Sequence, residues 1–360
     1  MDWVYNVPIK FYEYDLNELK YKLTDFDGNI LLIASKRVIN TFDLDVGGFQ
    51  VLDESITNPD VHLVREILDG IDKPDLIVAI GGGSSIDLGK AISALYEYKD
   101  EDVLDLLKNK DYLENGDSIP LVAVPTTAGT GSECTKWATI WDFDNNKKYS
   151  IDADYLYPKE SWLVPELTVT MDEKMTLATG LDALAHAMES YWSVPSNSYT
   201  RVLARDSIRI IREYLPLVLN DLDNLEYRQK MLMGSFFAGL AFSNTRTTAC
   251  HSISYPLTMM FGINHGFAAA ITLFEVLSRN WDYLKEKDLF LDAWDANDLD
   301  DIKNWLEEVS SGSLNLANFG VKKEKIPDIV KLATTGGRMD NNPIIFDEEE
   351  IYDILNSVYY

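Results

Sequence analysis

The sequence predicts an α/β domain with a parallel sheet over residues 1–162, followed by an all-α domain over residues 163–360. In the first half, short apolar segments alternate with helical segments, an arrangement typical of a parallel sheet covered on both faces. In the second half, apolar residues recur every three to four positions, which is typical of amphipathic helices. The segment WLVPEL separates the two patterns, and a chain of 360 residues is long enough for two cores.

The elements of the first half follow in chain order. Strands are predicted at VPIKFY, NILLIAS, DLIVAI and IPLVAVPTT, and helices at DLNELKYKL, HLVREILDGI and SSIDLGKAISALYEY. KWATIWDFDNNKKYSI alternates apolar and polar residues on either side of Asp144-Asn145-Asn146, which indicates a β-hairpin. In the second half, helices are predicted at TGLDALAHAMESYWS, TRVLARDSIRIIREYLPLVL, YRQKMLMGSFFAGLAF and KKEKIPDIVKLATTG.

The composition excludes several classes of protein. The formal net charge of −27 argues against a nucleic-acid partner, because binding to nucleic acid needs a basic face. The sequence has no apolar run of about eighteen residues and no basic segment followed by an apolar one at the start, so neither a membrane span nor a signal peptide is predicted. Two widely separated cysteines predict reduced thiols in the cytoplasm.

Three glycines separate a strand from a helix in DLIVAIGGGSSIDLGK. Glycines allow a ligand to approach the backbone closely, and a helix N-terminus attracts phosphate. Ser84 is predicted to cap the helix, with Asp87 completing a capping box. The spacing matches neither GxGxxG nor GxxxxGK[ST], so a tight turn that binds nothing is the alternative. A second small-residue loop, PTTAGTGSE, follows the next strand, and two such loops at one sheet edge favour pyrophosphate binding.

Three of the four histidines, together with one aspartate, form a candidate metal site. Asp182 and His186 lie four residues apart on a predicted helix and therefore share a face. His251 and His265 lie in a later apolar segment, whereas His62 lies in a polar helix and is expected at the surface. One carboxylate and three imidazoles suit Fe(II) or Zn(II). The spacing alone also allows ordinary core or helix-end residues.

Five segments occur in the same order as in the iron-containing (group III) alcohol dehydrogenases, which the chain resembles over nearly its whole length: GGGSSIDLGK, PTTAGTGSE, VPELTVT, ATGLDALAHAMESY and HSISYPLTMMFGINHG. The resemblance implies a Rossmann-like dinucleotide-binding domain and a helical metal-binding domain, in a dehydroquinate synthase-like architecture with the active site in the cleft between them. It implies that Asp182, His186, His251 and His265 bind Fe(II), with Zn(II) as the alternative. A homodimer or a larger homo-oligomer is also implied.

The resemblance also implies cofactor contacts, at Asn58, Gly82, Gly83, Ser84, Thr126, Thr127, Ser132 and Lys148, of which Lys148 approaches the nicotinamide ribose. Many members carry an aspartate after the second strand, where this chain has Ser35, Lys36 and Arg37. An acid there would repel a 2′-phosphate, and cations there could pair with one, so we predict NADPH as the preferred cofactor and NADH as the lesser one. The alternative is that Lys36 and Arg37 only face solvent.

A second departure from the family concerns proton transfer. Tyr255 stands where many relatives have a non-ligand histidine four residues after the third ligand. A tyrosine with an ordinary pKa of about 10 is a poorer proton shuttle near neutral pH. Tyr255 and Lys148 are the catalytic candidates, and solvent or the ribose hydroxyl could serve as the proton source instead.

The substrate prediction depends on Arg246, five residues before His251, where ordinary family members carry a small residue, often glycine. With Lys136 and Phe242 as further predicted contacts, Arg246 indicates an anionic aldehyde as substrate. TRTTACHSISYPLT is similar to the subgroup that reduces phosphonoacetaldehyde to 2-hydroxyethylphosphonate. The late segment GGRMDNNP could add contacts through Arg338, Asn341 and Asn342.

Other assignments stay open at this stage. Arg246 could be an exposed cation paired with an acid, and the substrate could be a carboxylated or neutral short aldehyde or alcohol. A dehydroquinate-synthase-type lyase shares the architecture, but it would need more basic phosphate ligands and a glutamate among the metal ligands. A non-catalytic nucleotide-binding protein is disfavoured by the complete ligand set.

Overall fold

The computed structural model describes residues 7–113, 116, 118–145, 147–334 and 339–360. These residues form two compact units. The first consists of the chain up to Thr127 together with Gly131–Thr170, and the second consists of Ala128–Thr130 together with Met171–Tyr360. The sequence places the division after residue 162, a few residues before Thr170.

The first unit contains a six-stranded parallel sheet with the order β1-β8-β5-β4-β2-β3 and a separate antiparallel hairpin of β6 and β7. The strands are β1 (Lys10–Glu13), β2 (Ile30–Ala34), β3 (Gln50–Leu52), β4 (Leu76–Gly81), β5 (Leu121–Pro125), β6 (Trp137–Asp142), β7 (Lys147–Asp152) and β8 (Glu160–Leu163). The predicted parallel sheet and hairpin are confirmed, although Asn146 of the predicted turn lies outside the described residues. The short strands β3 and β8 were not predicted.

Helices cover both faces of this sheet: α1 (Leu16–Thr24), α2 (Lys36–Phe42), α3 (Val61–Gly70), α4 (Gly83–Leu95) and α5 (Val103–Asn109). Within β2, Leu31 and Ile33 belong to one buried cluster, whereas Ile30 and Leu32 belong to another. Successive side chains of a strand point to opposite faces, so both faces are buried. This explains why NILLIAS is continuously apolar, as expected for a strand of a covered parallel sheet.

The start of α4 differs from the prediction. Gly82, not Ser84, is the N-cap residue, and the helix has no side-chain cap. The predicted capping box is wrong because the Asp87 carboxylate accepts hydrogen bonds from the Ser132 hydroxyl (2.6 Å) and the Thr139 backbone N–H (2.9 Å). The first N–H groups of α4 are therefore not covered by a side chain of their own helix.

The second unit is helical: α6 (Glu173–Trp192), α7 (Ser198–Asn220), α8 (Leu225–Thr245), α9 (Ala249–Phe261), α10 (His265–Ala270), α11 (Leu273–Asn280), α12 (Lys287–Trp294), α13 (Leu299–Val309), α14 (Ile326–Ala333) and α15 (Glu348–Ser357). Its central helix is α6, which packs against α7, α8 and α10. From Gly180 onward every residue of α6 is buried, so polar side chains on this helix face protein. Among the described residues, none of the helices has both the length and the apolar character that crossing a membrane requires.

Candidate active site

One face of α6 carries three polar side chains in succession. Asp182, His186 and Glu189 lie at positions i, i+4 and i+7, a spacing that places them on one side of a helix. All three are buried, with 3%, 5% and 0% of their surface exposed. Burying a carboxylate or an imidazole is costly unless it has a partner, so this face must meet complementary groups.

The first complementary group is His251 on α9. Its Nε2 lies 3.6 Å from Oδ1 of Asp182, and its ring lies 4.4 Å from that of His186 in a stacked arrangement. One ligand atom from each of Asp182, His186 and His251 lies within 4.8 Å of the others. Residues nearly seventy positions apart in sequence therefore converge on one point.

His265, the first residue of α10, lies at the edge of this cluster. Its Nε2 lies 3.9 Å from Oδ1 of Asp182, and its ring centroid lies 5.3 Å from that of His251. The approach depends on Gly266, because a β-carbon there would lie 1.9 Å from the carbonyl oxygen of Ala178 on α6. The His265 side chain is 42% exposed, which makes it the most solvent-accessible of the four candidate ligands.

Asp182, His186 and His251 lie close enough together to share one divalent metal ion, and His265 lies beside them at the exposed edge. Oδ1 of Asp182 and Nε2 of His251 are buried and have no hydrogen-bond partner, although they face each other. Ligand atoms around a tetrahedral ion lie roughly 3.4 Å apart, close to the separations of 3.6 and 3.9 Å measured from Asp182. Three imidazoles and one carboxylate are donors suited to Fe(II) or Zn(II).

The outer nitrogens of two imidazoles have acceptors that set the tautomer. Nδ1 of His186 lies 3.3 Å from the Gly129 carbonyl oxygen, and Nδ1 of His251 lies 2.5 Å from Oε2 of Glu189. Each acceptor favours an Nδ1–H tautomer, which leaves the Nε2 lone pair for the ion. Gly129 reaches α6 because it lacks a side chain, since its β-carbon would lie 2.8 Å from Thr179.

The charges in the cluster shift the pKa values of its members. Burial and the neighbouring His251 lower the pKa of His186 to about 4, although Asp182 opposes this. Burial opposes protonation of His251, but Glu189 and Asp182 outweigh it and raise the pKa of this imidazole to about 9. Burial also opposes ionisation of Asp182, but the three imidazoles outweigh it and lower its pKa. Among the protein groups alone, protonation is therefore more favourable at His251 than at His186.

Glu189 was not identified from the sequence. In HAMES it lies three residues after His186, on the face already assigned to metal binding, so the helical spacing could have identified it. A glutamate in a helix is most often an exposed residue, and nothing in the sequence alone indicates that this one is buried.

Two predicted contacts lie on the helices that form the cluster. The Phe242 ring on α8 stacks on His186 with a centroid separation of 4.2 Å, so its first contact is with a candidate ligand. Tyr255 is half-buried one turn after His251 on α9.

Arg246 has an unusual backbone at the end of α8. Its φ of 60° and ψ of 176° fall in a region that is almost exclusive to glycine. Its backbone N–H donates to the Phe242 carbonyl (2.7 Å), and the preceding Thr245 hydroxyl donates to Ser190 on α6 (2.9 Å). These bonds hold the exposed Arg246 beside the helix that carries Asp182 and His186.

In the first unit, the glycine-rich loop contacts the loop after β5. The Thr126 backbone N–H donates to the Gly81 carbonyl (3.0 Å), and a β-carbon at Gly82 would lie 3.5 Å from the Thr127 side chain. The Asn58 N–H donates to the Ser84 hydroxyl (3.2 Å). The structure thus brings together most of the predicted cofactor contacts: Asn58, Gly82, Gly83, Ser84, Thr126 and Thr127. They lie at the carboxyl end of the sheet, next to the point between β2 and β4 where the strand order reverses.

The predicted contact Ser132 has a different environment. Its hydroxyl donates to Asp87 (2.6 Å) and accepts from Nζ of Lys90 (3.0 Å), and only 5% of the residue is exposed. Lys90 also donates to Thr135 Oγ1 and to two backbone carbonyls. Burial lowers the pKa of Lys90 to about 8, so the ammonium is still charged at neutral pH and needs these acceptors. The Ser132 hydroxyl therefore anchors the loop internally.

Replacing Ser132 with alanine should lower the free energy of unfolding by about 2 kcal/mol, because the buried Lys90 ammonium and the half-buried Asp87 carboxylate each lose a hydrogen-bond partner. The midpoint of urea-induced unfolding, followed by fluorescence, measures this change. Ser150→Ala at an exposed position of β7 is the matched control and should leave the midpoint unchanged. Equal midpoints for S132A and the wild type would contradict this role.

The residues predicted to select the cofactor lie at the start of α2. Ser35 caps this helix through the Val38 N–H. Lys36 is exposed and pairs with Asp53 after β3 at 3.2 Å, and Arg37 donates to the Thr170 carbonyl (3.1 Å). An acid is thus present near Lys36 even though none follows β2 directly.

The remaining predicted contacts have partners of their own. Nζ of Lys136 lies 2.5 Å from Asp154 and 3.7 Å from Asp152, so its charge is balanced within the first unit. Lys148 on β7 lies over the Trp141 ring at 5.5 Å.

The late segment provides two more asparagines. Asn341 donates to the Thr247 carbonyl (3.3 Å), next to Thr248 at the start of α9, and Asn342 forms a reciprocal pair with Asn280. Arg338 lies outside the described residues.

Comparison with family models gives matches in both halves of the chain. A model described as iron-containing alcohol dehydrogenase matches residues 8–165. A second model, for the C-terminal part of the Fe-containing alcohol dehydrogenase family, matches residues 176–359.

Individual proteins extend this similarity. A long-chain primary alcohol dehydrogenase of Thermoanaerobacter ethanolicus is 30% identical over 359 residues, covering 92% of this chain and 89% of that protein. A phosphonoacetaldehyde reductase of Streptomyces viridochromogenes is 35% identical over 237 residues, covering 64% of this chain and 59% of that protein. The crystal structure of sulfoacetaldehyde reductase from Bifidobacterium kashiwanohense in complex with NAD+ superposes with a TM-score of 0.89 at 27% identity, covering 99% of each chain. The residues that the C-terminal family model matches, 176–359, include all four candidate ligands.

Proposed function

Since this chain belongs to the iron-containing alcohol dehydrogenase family, whose members are nicotinamide-dependent oxidoreductases acting on alcohols, we propose that it reduces a short aldehyde bearing a fixed anion. Phosphonoacetaldehyde, which would give 2-hydroxyethylphosphonate, is the first candidate. Two of the similar proteins described above are named for short anionic aldehydes, one a phosphonate and one a sulfonate. These two relatives support a short anionic aldehyde as the substrate class more strongly than they support either compound.

The observation that carries this proposal is the backbone of Arg246. Holding an arginine in a glycine-type conformation costs about 1–3 kcal/mol, and such strain is concentrated at functional sites. Through the Phe242 carbonyl, Arg246 is linked to a residue whose ring stacks on the ligand His186. In a chain with a net charge of −27, a cation at this place offsets repulsion of an anionic substrate.

Each group has a defined task in this proposal. When bound, a divalent ion supplies Lewis-acid polarisation of the carbonyl and the nicotinamide supplies a hydride. Asp182, His186, His251 and His265 hold the ion, and Phe242 packs against one of its ligands. The guanidinium of Arg246 binds the anionic end of the substrate with charge-assisted hydrogen bonds, which orients the aldehyde end. Tyr255 lies one turn after His251 and is the candidate proton donor.

A panel of aldehydes tests the substrate. Protein loaded with Fe(II) or Zn(II) is assayed with phosphonoacetaldehyde, sulfoacetaldehyde, a short carboxylated aldehyde and propanal, each with NADPH and with NADH. We expect the highest kcat/KM for phosphonoacetaldehyde. A higher kcat/KM for sulfoacetaldehyde would support an anionic aldehyde as substrate but contradict phosphonoacetaldehyde as the compound. A kcat/KM for propanal equal to that of the best anionic aldehyde would overturn the proposal of an anionic substrate.

We also propose NADPH as the preferred cofactor, because no acid follows β2 and two cations begin α2. Ser35→Asp should lower the ratio of kcat/KM for NADPH to that for NADH by at least about tenfold, since a carboxylate there repels a 2′-phosphate and accepts from a 2′-hydroxyl. Asn40→Asp adds the same charge to an exposed position of α2 and should leave the ratio unchanged. A wild-type preference for NADH would refute the assignment and would point to Asp53 as the acid that decides it.

The proposal extends to a cytoplasmic enzyme that forms a homodimer or a larger homo-oligomer without nucleic-acid or membrane partners. The net charge of −27 supports the absence of a nucleic-acid partner, and the homo-oligomer is what the family resemblance implies. Size-exclusion chromatography with light scattering measures the assembly directly.

A further inference from the structure

Glu189 on α6 makes four hydrogen bonds through one buried carboxylate. Its Oε1 accepts from the Thr248 hydroxyl (2.7 Å), the Cys250 backbone N–H (2.6 Å) and, at 3.4 Å, the His251 backbone N–H. Its Oε2 accepts from Nδ1 of His251 at 2.5 Å. The carboxylate is 0% exposed, so these protein groups replace its contacts with water.

The Oε1 contacts stabilise the start of α9. The N-cap residue of this helix, Thr248, has no side-chain cap bond to its own helix. The first N–H groups of a helix have no intrahelical acceptor and favour a negative charge, and here Glu189 on α6 provides both the acceptor and the charge. Glu189 thereby holds the start of α9 against α6 at His251, the third candidate ligand.

The hydrogen bond to Oε2 of Glu189 determines which nitrogen of the His251 ring carries the proton. A carboxylate can only accept, so Nδ1 of His251 must carry a proton whenever this hydrogen bond is made. The neutral ring then has its lone pair on Nε2, the atom that faces Oδ1 of Asp182 without a hydrogen-bond partner. Carboxylates in this position orient the ring of a metal-binding histidine and make it a stronger ligand.

We propose that Glu189 is a positioning residue for the metal centre, which couples the start of α9 to the tautomer and orientation of the ligand His251. This inference rests on the metal site of the proposed function. Glu189 is not a ligand, because both of its oxygens are directed to α9 and its neighbouring loop.

Glutamine at position 189 separates positioning from simple packing. Its amide oxygen can still accept from Thr248 and from the N–H groups of α9, which keeps the helix start. Its NH2 group then faces Nδ1 of His251 and requires that nitrogen to be an acceptor. The proton moves to Nε2 and blocks the lone pair that the ion needs. Reversing the amide would instead place NH2 against the backbone N–H groups.

The test measures the Zn(II) dissociation constant by competition with a chromophoric chelator, together with the thermal midpoint of the metal-free protein. Glu189→Gln should bind Zn(II) about 10–100-fold more weakly, with a thermal midpoint within a few degrees of the wild type. Thr248→Val is the matched control, because it removes a contact to Oε1 and leaves the contact to His251 in place. T248V should lower the midpoint and leave the dissociation constant within about threefold of the wild type.

A measurement on the Zn(II)-loaded wild type needs no variant. With only four histidines in the chain, the imidazole N–H resonances can be resolved after histidine-selective nitrogen-15 labelling. We expect Nδ1–H signals from the zinc-bound rings of His186 and His251, and that of His251 lies further downfield because its acceptor is a carboxylate. E189Q should lose the downfield signal only.

The outcomes are distinct. Equal Zn(II) affinity in E189Q and the wild type overturns the assignment, as does an absent downfield Nδ1–H signal in the wild type. A loss of affinity in both E189Q and T248V that tracks their thermal midpoints also overturns it, because Glu189 would then act through stability alone. A wild type that binds neither Zn(II) nor Fe(II) overturns the metal centre itself, and the assignment with it.

Discussion

Replacing His251 with asparagine is expected to lower kcat/KM for aldehyde reduction by at least about 10³-fold. The histidine provides Nε2 at 3.6 Å from Asp182 and is held by Glu189, and the shorter amide offers no equivalent donor. Metal polarisation of a carbonyl contributes several kcal/mol, and each 1.4 kcal/mol is about tenfold in rate. Steady-state kinetics with the preferred aldehyde, combined with metal analysis of the purified variant, measures both consequences.

His62→Asn is the matched control for this prediction. The His62 side chain is 73% exposed and pairs with Asp144 at 2.8 Å in the first unit, so its loss should leave kcat/KM within about twofold. If H251N retained its metal content and most of its activity, the candidate centre would not be the site of catalysis. If both variants lost activity equally, the effect would not be specific to the centre.

Replacing Arg246 with glycine should lower kcat/KM for phosphonoacetaldehyde by about 100-fold and leave that for propanal within about threefold. The loss corresponds to charge-assisted hydrogen bonds of about 1.5–3 kcal/mol, which only the anionic substrate makes. The same replacement should leave the thermal midpoint unchanged or raise it, because glycine adopts φ of 60° and ψ of 176° without strain.

Arg246→Ala provides the internal comparison. Alanine removes the guanidinium but keeps a β-carbon in the strained conformation, so R246A should match the activity of R246G and have a lower thermal midpoint. Equal losses for phosphonoacetaldehyde and propanal would remove the anion-binding role. A thermal midpoint of R246G below that of R246A would contradict backbone strain at position 246.

The fold was predictable where the sequence carries periodic signals. The continuously apolar NILLIAS and DLIVAI predicted buried parallel strands, and both form central strands of the sheet. The strands β3 and β8 were missed because they are only three and four residues long, too short to show a period. The Ser84 cap was wrong because α4 begins at Gly83, with Gly82 as its N-cap residue. The capping box was wrong because Asp87 accepts from Ser132 and Thr139, contacts between distant segments that no local pattern reveals.

In the candidate site, too, local spacing was predictable from the sequence and tertiary contacts were not. The spacing of Asp182 and His186 on a helix gives a shared face, but the approach of α9 and α10 to that face depends on tertiary packing such as the absent side chain of Gly266. Lys136 was predicted as a substrate cation, yet its pairing with Asp152 and Asp154 depends on the hairpin geometry. The backbone angles of Arg246 are likewise set by tertiary structure, because nothing local favours this conformation for an arginine.

The backbone of Arg246 has an evolutionary consequence. All six arginine codons have G as their second base. Each becomes a glycine codon when its first base changes to G. If Arg246 binds the anionic substrate as proposed, one mutational step would remove that preference without a stability barrier. The reverse step requires a background stable enough to tolerate the strained arginine, so the two directions of divergence are not equally accessible.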